Sequence, residues 1–236
     1  MIAGNERKVM RRLLYFLLYC VCLRGAFAIE VSFIALEEKL DNAYYIDAKG
    51  AYNEIELNPY QPEGAVFLPP IEGMIRLFSK NVTNGVTKYE ILVEAKVGSL
   101  NQALALFFTQ SSSAKLVLFD NSSDFFTSGS LRIINMLPVG IVSKVGDKII
   151  RTDTISVDIV TSIKSGKRPV VGVVSAYRRN QEWVHFFNKP VAVLPDTRVT
   201  VISAVTASGM DLALGIDESE LSEDLKVDFF IHREKL

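Results

Sequence analysis

Short apolar runs separated by turn residues make up most of the chain. In "YNEIEL" (52–57), for example, Ile55 and Leu57 alternate with Glu54 and Glu56. A period of two is typical of a strand with one buried face. We therefore predict strands over 30–36, 43–48, 52–57, 74–79, 88–97, 104–110, 115–120, 130–136, 140–145, 148–153, 155–160, 169–177, 182–187, 191–194, 198–205 and 226–232.

This strand rhythm predicts an all-β protein with two β-sandwich-like, immunoglobulin-like halves, because so many strands exceed one sandwich. The Ser/Asn/Asp/Gly-rich segment 119–130 sets the boundary, giving domains at 29–127 and 128–236. No fixed period aligns the two halves, so the sequence does not indicate an internal repeat. Gly146-Asp147 predicts a two-residue hairpin turn, and "DESELSEDLKV" (217–227) predicts a short helix.

The most apolar run, from Leu13 to Leu23, is too short to cross a bilayer as a helix. Basic residues precede it, and the small-any-small triplet at 26–28 follows it. This order is typical of a secretory signal peptide, so we predict that residues 1–28 are removed by cleavage after Ala28. The expected location is periplasmic or extracellular, with no membrane span in the mature chain.

Cleavage changes the composition of the mature protein. The leader contains both cysteines, Cys20 and Cys22, so no disulfide is expected in the mature chain. It also removes five of the 26 Lys/Arg and one of the 27 Asp/Glu, which leaves 21 basic and 26 acidic residues. This mild acidity gives no reason to expect a nucleic-acid partner.

Motifs for catalysis are weak. Ser112 to Lys115 spells S-x-x-K and Lys164 to Gly166 spells K-S-G, a combination similar to that of β-lactamase-type serine enzymes. Both lie between predicted strands, with no space for the helical subdomain of those enzymes, so we interpret them as a turn and a loop. Glu54 and Glu56 share a strand face and are interpreted as solvent-facing. We assign no catalytic residue.

Candidates for metal binding are equally sparse. His185 and His232 lack further ligands at metal spacing, and we place His185 in a buried central strand. The segment "DNSSD" (120–124) has oxygen ligands suited to Ca²⁺, but an Asx-type turn explains it more simply. Glycosylation triplets at Asn81 and Asn121 indicate exposed loops. We assign no metal and no cofactor.

The second half carries a pattern formed by a small-residue lead, an R-x-x-N strand, a Gly-Asp hairpin, a Trp-containing strand and a P-x-x-R strand. The positions that match are Arg132, Asn135, Gly146, Asp147, Trp183, Pro195 and Arg198. The pattern resembles uncharacterised exported bacterial β-proteins. This resemblance implies an exported β-sandwich of unknown role and transfers no catalytic residue. Asn135 and Arg198 have a simpler interpretation as a turn cap and a strand-edge charge.

We therefore expect an exported, non-catalytic protein with a binding or structural role at the cell envelope, where it would contact a protein or a glycan. Exposed aromatics would be the first candidates for contacts, namely Tyr44, Tyr45, Tyr60 and Tyr177, but ordinary partial burial is the interpretation we favour for them. The alternatives are a secreted carboxylate-dependent hydrolase, for example one acting on glycans, and an assembly subunit with an open edge strand. We expect no pocket that gathers two or more ionisable groups.

Overall fold

The computed structural model describes residues 28–36, 39–110, 113–161, 163, 169–205 and 227–235. This part of the chain forms sixteen strands and contains no helix. The strands of the first half are β1 (Ile29–Ala35), β2 (Leu40–Ile46), β3 (Tyr52–Leu57), β4 (Val66–Leu68), β5 (Met74–Thr83), β6 (Val86–Lys96), β7 (Gln102–Gln110) and β8 (Ser113–Asp120). Those of the second half are β9 (Ser130–Asn135), β10 (Ile141–Val145), β11 (Lys148–Thr152), β12 (Ser156–Val160), β13 (Val170–Arg179), β14 (Glu182–Ala192), β15 (Thr197–Val205) and β16 (Val227–Lys235).

The predicted all-β class with two sandwich-like halves is confirmed. The Gly146-Asp147 hairpin is also confirmed, since Val145 pairs with Lys148 and Gly146 has φ +59°. The predicted leader before Ala28 and the predicted helix before Val227 lie outside the described residues. No helix in the described ranges is long and apolar enough to cross a bilayer.

Two strand predictions differ from the structure. The short strand β4 was not predicted, because three residues are too few to show an alternation. The runs at 182–187 and 191–194 were predicted as separate strands, but the whole of the first and the first two residues of the second belong to the single strand β14. Pro190 lies inside β14, which is the edge strand of its sheet, and an edge strand tolerates a proline that cannot donate outward.

The strands form four four-stranded sheets. Sheet A has the order β4-β1-β7-β8 and sheet B the order β3-β2-β5-β6; sheet C has the order β12-β9-β15-β16 and sheet D the order β11-β10-β13-β14. When eight is added to each strand number, the strand orders of sheets A and B become those of sheets C and D. The strand directions agree too, including the parallel pairs β1–β7 and β9–β15. The two halves therefore share one topology, which the sequence did not indicate.

Strand register makes the two halves comparable residue by residue. The parallel ladders begin at the pairs Glu30–Gln102 and Ser130–Arg198. Beyond them, the Leu36 amide donates to the carbonyl of Phe107, and the Met136 amide donates to the carbonyl of Ser203. Position 32 of the first half thus corresponds to position 132 of the second, and position 102 corresponds to position 198.

Alternate side chains of sheet A enter two different cores. In β1, Val31 and Phe33 belong to the core between sheets A and B, whereas Ile34 belongs to a larger cluster with the second half. In β7, Ala105 likewise belongs to the core between sheets A and B, and Leu106 belongs to the larger cluster. Both faces of sheet A are therefore covered, and its outer face packs against the second half.

The outer face of sheet C lies opposite. In β9, Ile134 shares its strand face with Arg132, and in β15, Ile202 shares its strand face with Thr200. Arg132 hydrogen-bonds to Thr200 and to Asn121, the residue that follows β8. The sheets are stacked in the order B, A, C, D. The A–C interface is apolar at one end and polar at the other, and the polar end contains a cleft. The predicted domain boundary lies in the segment 121–129 beside this cleft.

Candidate functional site

The polar end of the A–C interface is an open cleft with a volume of about 300 Å³. We call it the inter-sandwich cleft. Outward-facing residues of both central parallel strand pairs form its walls, together with β16 and the segment that precedes β4. Its lining residues are Glu30, Ser32, Pro62, Glu63, Gly64, Ala65, Gln102, Ala103, Leu104, Asn121, Arg132, Arg198, His232 and Glu234. The expectation that no pocket gathers two or more ionisable groups is therefore wrong.

Arg132 occupies the inner wall and is 1% exposed. Its Nε donates to Thr200 Oγ1 (2.7 Å), Nη1 to the Asp120 carbonyl (3.1 Å) and Nη2 to Asn121 Oδ1 (2.8 Å). All three acceptors are neutral groups. Through these contacts the guanidinium fixes the end of β8 against sheet C.

Arg198 lies in the neighbouring strand and is 4% exposed. Its Nη1 donates to the carbonyls of Asn121 (2.8 Å) and Phe126 (3.1 Å), and its Nη2 lies 2.7 Å from Glu234 Oε2. Nε has no hydrogen-bond partner. A buried donor without an acceptor is costly.

The segment that joins the two halves folds around Phe126, whose side chain is fully buried. The guanidinium carbons of Arg132 and Arg198 lie 4.3 and 5.3 Å from the centre of its ring. Such contacts place cations over the negative face of an aromatic ring. Ser128 Oγ donates to the Pro195 carbonyl and ties the end of this segment to the second half.

Burial weakens the protonated forms of two groups in the cleft. Desolvation, together with repulsion from Arg198, lowers the pKa of Arg132 to about 9. Desolvation also lowers the pKa of His232, although the charge of Glu234 acts in the opposite direction. The inner wall is thus a poorly hydrated region in which positive charge is unfavourable, while Glu30 and Glu63 lie nearer the solvent, at the rim.

The structure decides between the interpretations given to Asn135 and Arg198. Asn135 is fully buried; its Nδ2 donates to the carbonyls of Val139, Thr152 and Asp153, and its Oδ1 accepts from the Leu137 amide. It is a turn cap, as predicted. The interpretation of Arg198 as a strand-edge charge is wrong, because β15 is a central strand and the side chain is buried.

The prediction that His185 is buried is wrong, whereas the partial burial favoured for the tyrosines holds for two of the four. His185 is exposed, because its strand is the edge of sheet D rather than a central strand. Tyr177 and Tyr44 are buried rather than exposed, and Tyr45 and Tyr60 are half-buried. None of these four tyrosines forms an open contact surface.

The "DNSSD" segment contains the predicted Asx-type turn, since Asp120 Oδ1 accepts from the Ser122 amide (2.8 Å). Asn121 is buried against Arg132, so its glycosylation triplet does not mark an exposed loop, whereas Asn81 is exposed. The described residues contain no group of three or more His, Cys, Asp or Glu placed to hold a metal ion.

No other candidate motif lines the cleft within the part of the chain that the structure describes. Lys115 is exposed in β8, and Ser112 and the segment 164–168 lie outside the described residues. Glu54 and Glu56 are exposed on β3, as predicted, and Glu56 is ion-paired with Lys39.

Sequence reasoning missed most of the cleft. From the sequence, Arg198 is interpreted as a strand-edge charge and Arg132 is given no role, and Glu30, Glu63 and Glu234 are not among the candidates. One available signal was the strand "SLRIIN", where apolar residues occupy both alternating sets of positions. Both faces of such a strand are buried, so the single arginine among them must be buried as well.

No protein-family model matches this chain, and no curated protein matches it. The site must therefore be interpreted from its own geometry.

Proposed function

We propose that this is an exported, non-catalytic binding protein of the cell envelope, and that its ligand site is the inter-sandwich cleft. The observation that supports this most directly is the donor set of the inner wall. Two buried guanidiniums from sheet C face an opening lined by polar side chains of sheet A. Concave sites with a few converging polar groups are the usual form of small-ligand sites.

A second candidate function is the carboxylate-dependent hydrolase, because Glu30, Glu63 and Glu234 all line the cleft. Two of these three carboxylates are already engaged by the fold. Glu234 is ion-paired with Arg198, and Glu30 accepts a hydrogen bond of 2.7 Å from Gln102 Nε2. This engagement favours binding over acid–base chemistry.

The binding role is tested with Ser32→Phe, which fills the cleft from β1, and with Glu54→Phe as the control on the exposed face of β3. A low-molecular-weight extract of the envelope should raise the melting temperature of the wild type and of Glu54→Phe, but not that of Ser32→Phe. An equal rise in all three proteins would contradict a ligand in the cleft.

Export and catalysis need separate measurements. We expect the mature protein in the envelope or external fraction, with an N-terminus at Ile29. We also expect no release of reducing ends from envelope glycans. Release that is lost in Glu63→Gln would establish the hydrolase instead.

A further inference from the structure

The inner wall of the cleft has more positive than negative charge. Arg198 is ion-paired with Glu234, but within the described ranges no carboxylate lies within 4.0 Å of the guanidinium nitrogens of Arg132. Buried charges in proteins are usually paired. A ligand with one anionic group would supply the missing countercharge.

The hydrogen bonds of Arg132 and Arg198 also favour a ligand with an anionic group. Among the described residues, every acceptor that contacts Arg132 is neutral, and Arg198 Nε has no acceptor although this side chain is more than nine-tenths buried. Guanidinium groups match the planar geometry of carboxylates. A carboxylate in the cleft would place a negative charge beside both Arg198 and Arg132.

The rim of the cleft has the opposite character. Glu30 and Glu63 line it, and no cation lies within ion-pair distance of either carboxylate among the described residues. A simple anion would meet repulsion at this rim before it reached the arginines. A ligand that also contains an amine would instead complement both ends of the cleft.

We infer that the inter-sandwich cleft binds a small amphoteric molecule, with its carboxylate against Arg198 and Arg132 and its amine near Glu63 and Glu30. This inference rests on the proposed binding function, because it names the ligand class of the same site. The cleft volume of about 300 Å³ suits a molecule of amino-acid size rather than a polymer chain.

The test is an NMR titration of the full mature protein with three probes: alanine as either enantiomer, propionate, and ethylamine. We expect alanine to shift the amide signals of Ser32, Gln102 and Asn121. Propionate should bind roughly tenfold more weakly because it lacks the amine, and ethylamine should not bind measurably. Absence of alanine binding, or equal affinities for alanine and propionate, would overturn the inference.

Variants locate the site. Arg198→Gln should abolish alanine binding, but loss of its contacts to the 121–129 segment can also unfold the protein. Glu63→Gln avoids this problem, since no described hydrogen bond or ion pair depends on its side chain. It should weaken alanine binding roughly tenfold and leave propionate binding unchanged or improved, while Glu54→Gln should alter neither. Equal effects of the two glutamate variants would contradict the placement of the amine.

These outcomes separate the ligand class from the binding function. If the envelope extract stabilises the wild type but not Ser32→Phe, and alanine does not bind, the amphoteric ligand is wrong while the binding function stands. If neither the extract nor alanine acts through the cleft, both proposals fail.

Discussion

The facing surfaces of sheets A and C have the same backbone arrangement and different chemistry. Where sheet C has Arg132, Arg198 and Glu234, the corresponding positions of the first half are Ser32, Gln102 and Asn121. At the other end of the interface both surfaces are apolar, and the equivalent positions Ile34 and Ile134 have the same residue. The apolar end joins the halves, and the polar end is free to differ between them.

This difference shows which part of the molecule specifies the site. One topology, used twice, produces a charged wall in only one of its two copies. The site therefore depends on a few side chains rather than on the fold. Exchanging residues between equivalent positions is the direct way to test this statement.

The largest effect is expected at the shared apolar end. Leu106→Asp places a charge on a fully buried position of sheet A and should reduce the free energy of unfolding by about 4 kcal/mol or more. Because this position packs against the second half, calorimetry should show two separated transitions in place of one. Ile91→Asp, at a position 53% exposed, is the control and should leave unfolding nearly unchanged. Wild-type unfolding of Leu106→Asp would show that the halves are independent.

The next effect concerns the charged wall. Arg132→Ser gives sheet C the residue found at the equivalent position of sheet A and leaves Asn121 Oδ1 and the Asp120 carbonyl without their donor. We expect a loss of about 3 kcal/mol in denaturant unfolding, through buried acceptors left unsatisfied. The matched control is Arg76→Ser, whose ion pairs with Glu72 and Glu94 lie at the surface, so its loss of stability should be much smaller. Similar losses in both variants would refute the special role of burial.

A smaller effect is expected at the turn after β9. Asn135→Ala introduces the residue of the equivalent position, Ala35, and removes the donor to three carbonyls. The expected cost is about 2 kcal/mol in the same unfolding assay. Asn53→Ala is the control, because Asn53 Nδ2 donates to the carbonyl of Ala51 at an exposed position. An unchanged stability of Asn135→Ala would mean that water replaces the amide.

The smallest effect is a dependence on pH. Because the pKa of His232 is lowered in the folded protein, the unfolded chain binds the proton more tightly, and stability should fall as the pH drops below about 6.5. His232→Phe, which introduces the residue of the equivalent position, Phe119, should remove this slope between pH 5 and 7. His185→Gln, at an exposed position, should retain it. A slope that survives in His232→Phe would assign it to other groups.

Sequence reasoning predicted the strands well and the site poorly, for physical reasons. Alternation within one strand is local, so β3 and the Gly146 hairpin were predictable from neighbouring residues. The cleft brings Glu30 together with Glu234, which are almost the whole chain apart, and no local pattern reports that approach. The prediction that His185 is buried was wrong for a related reason, since only the strand order shows that its strand lies at an edge.

The parallel pairing of β1 with β7 has a consequence for how the chain is made. Strand β1 is synthesised well before its partner β7, which begins only at Gln102. In the same way, β9 is synthesised well before its partner β15. Neither central ladder can close until nearly all of its half has been synthesised. Pairing between strands so far apart in the chain makes folding slow. Until the partner strands are synthesised, the unpaired edges of the apolar strands β1 and β9 stay accessible to other chains.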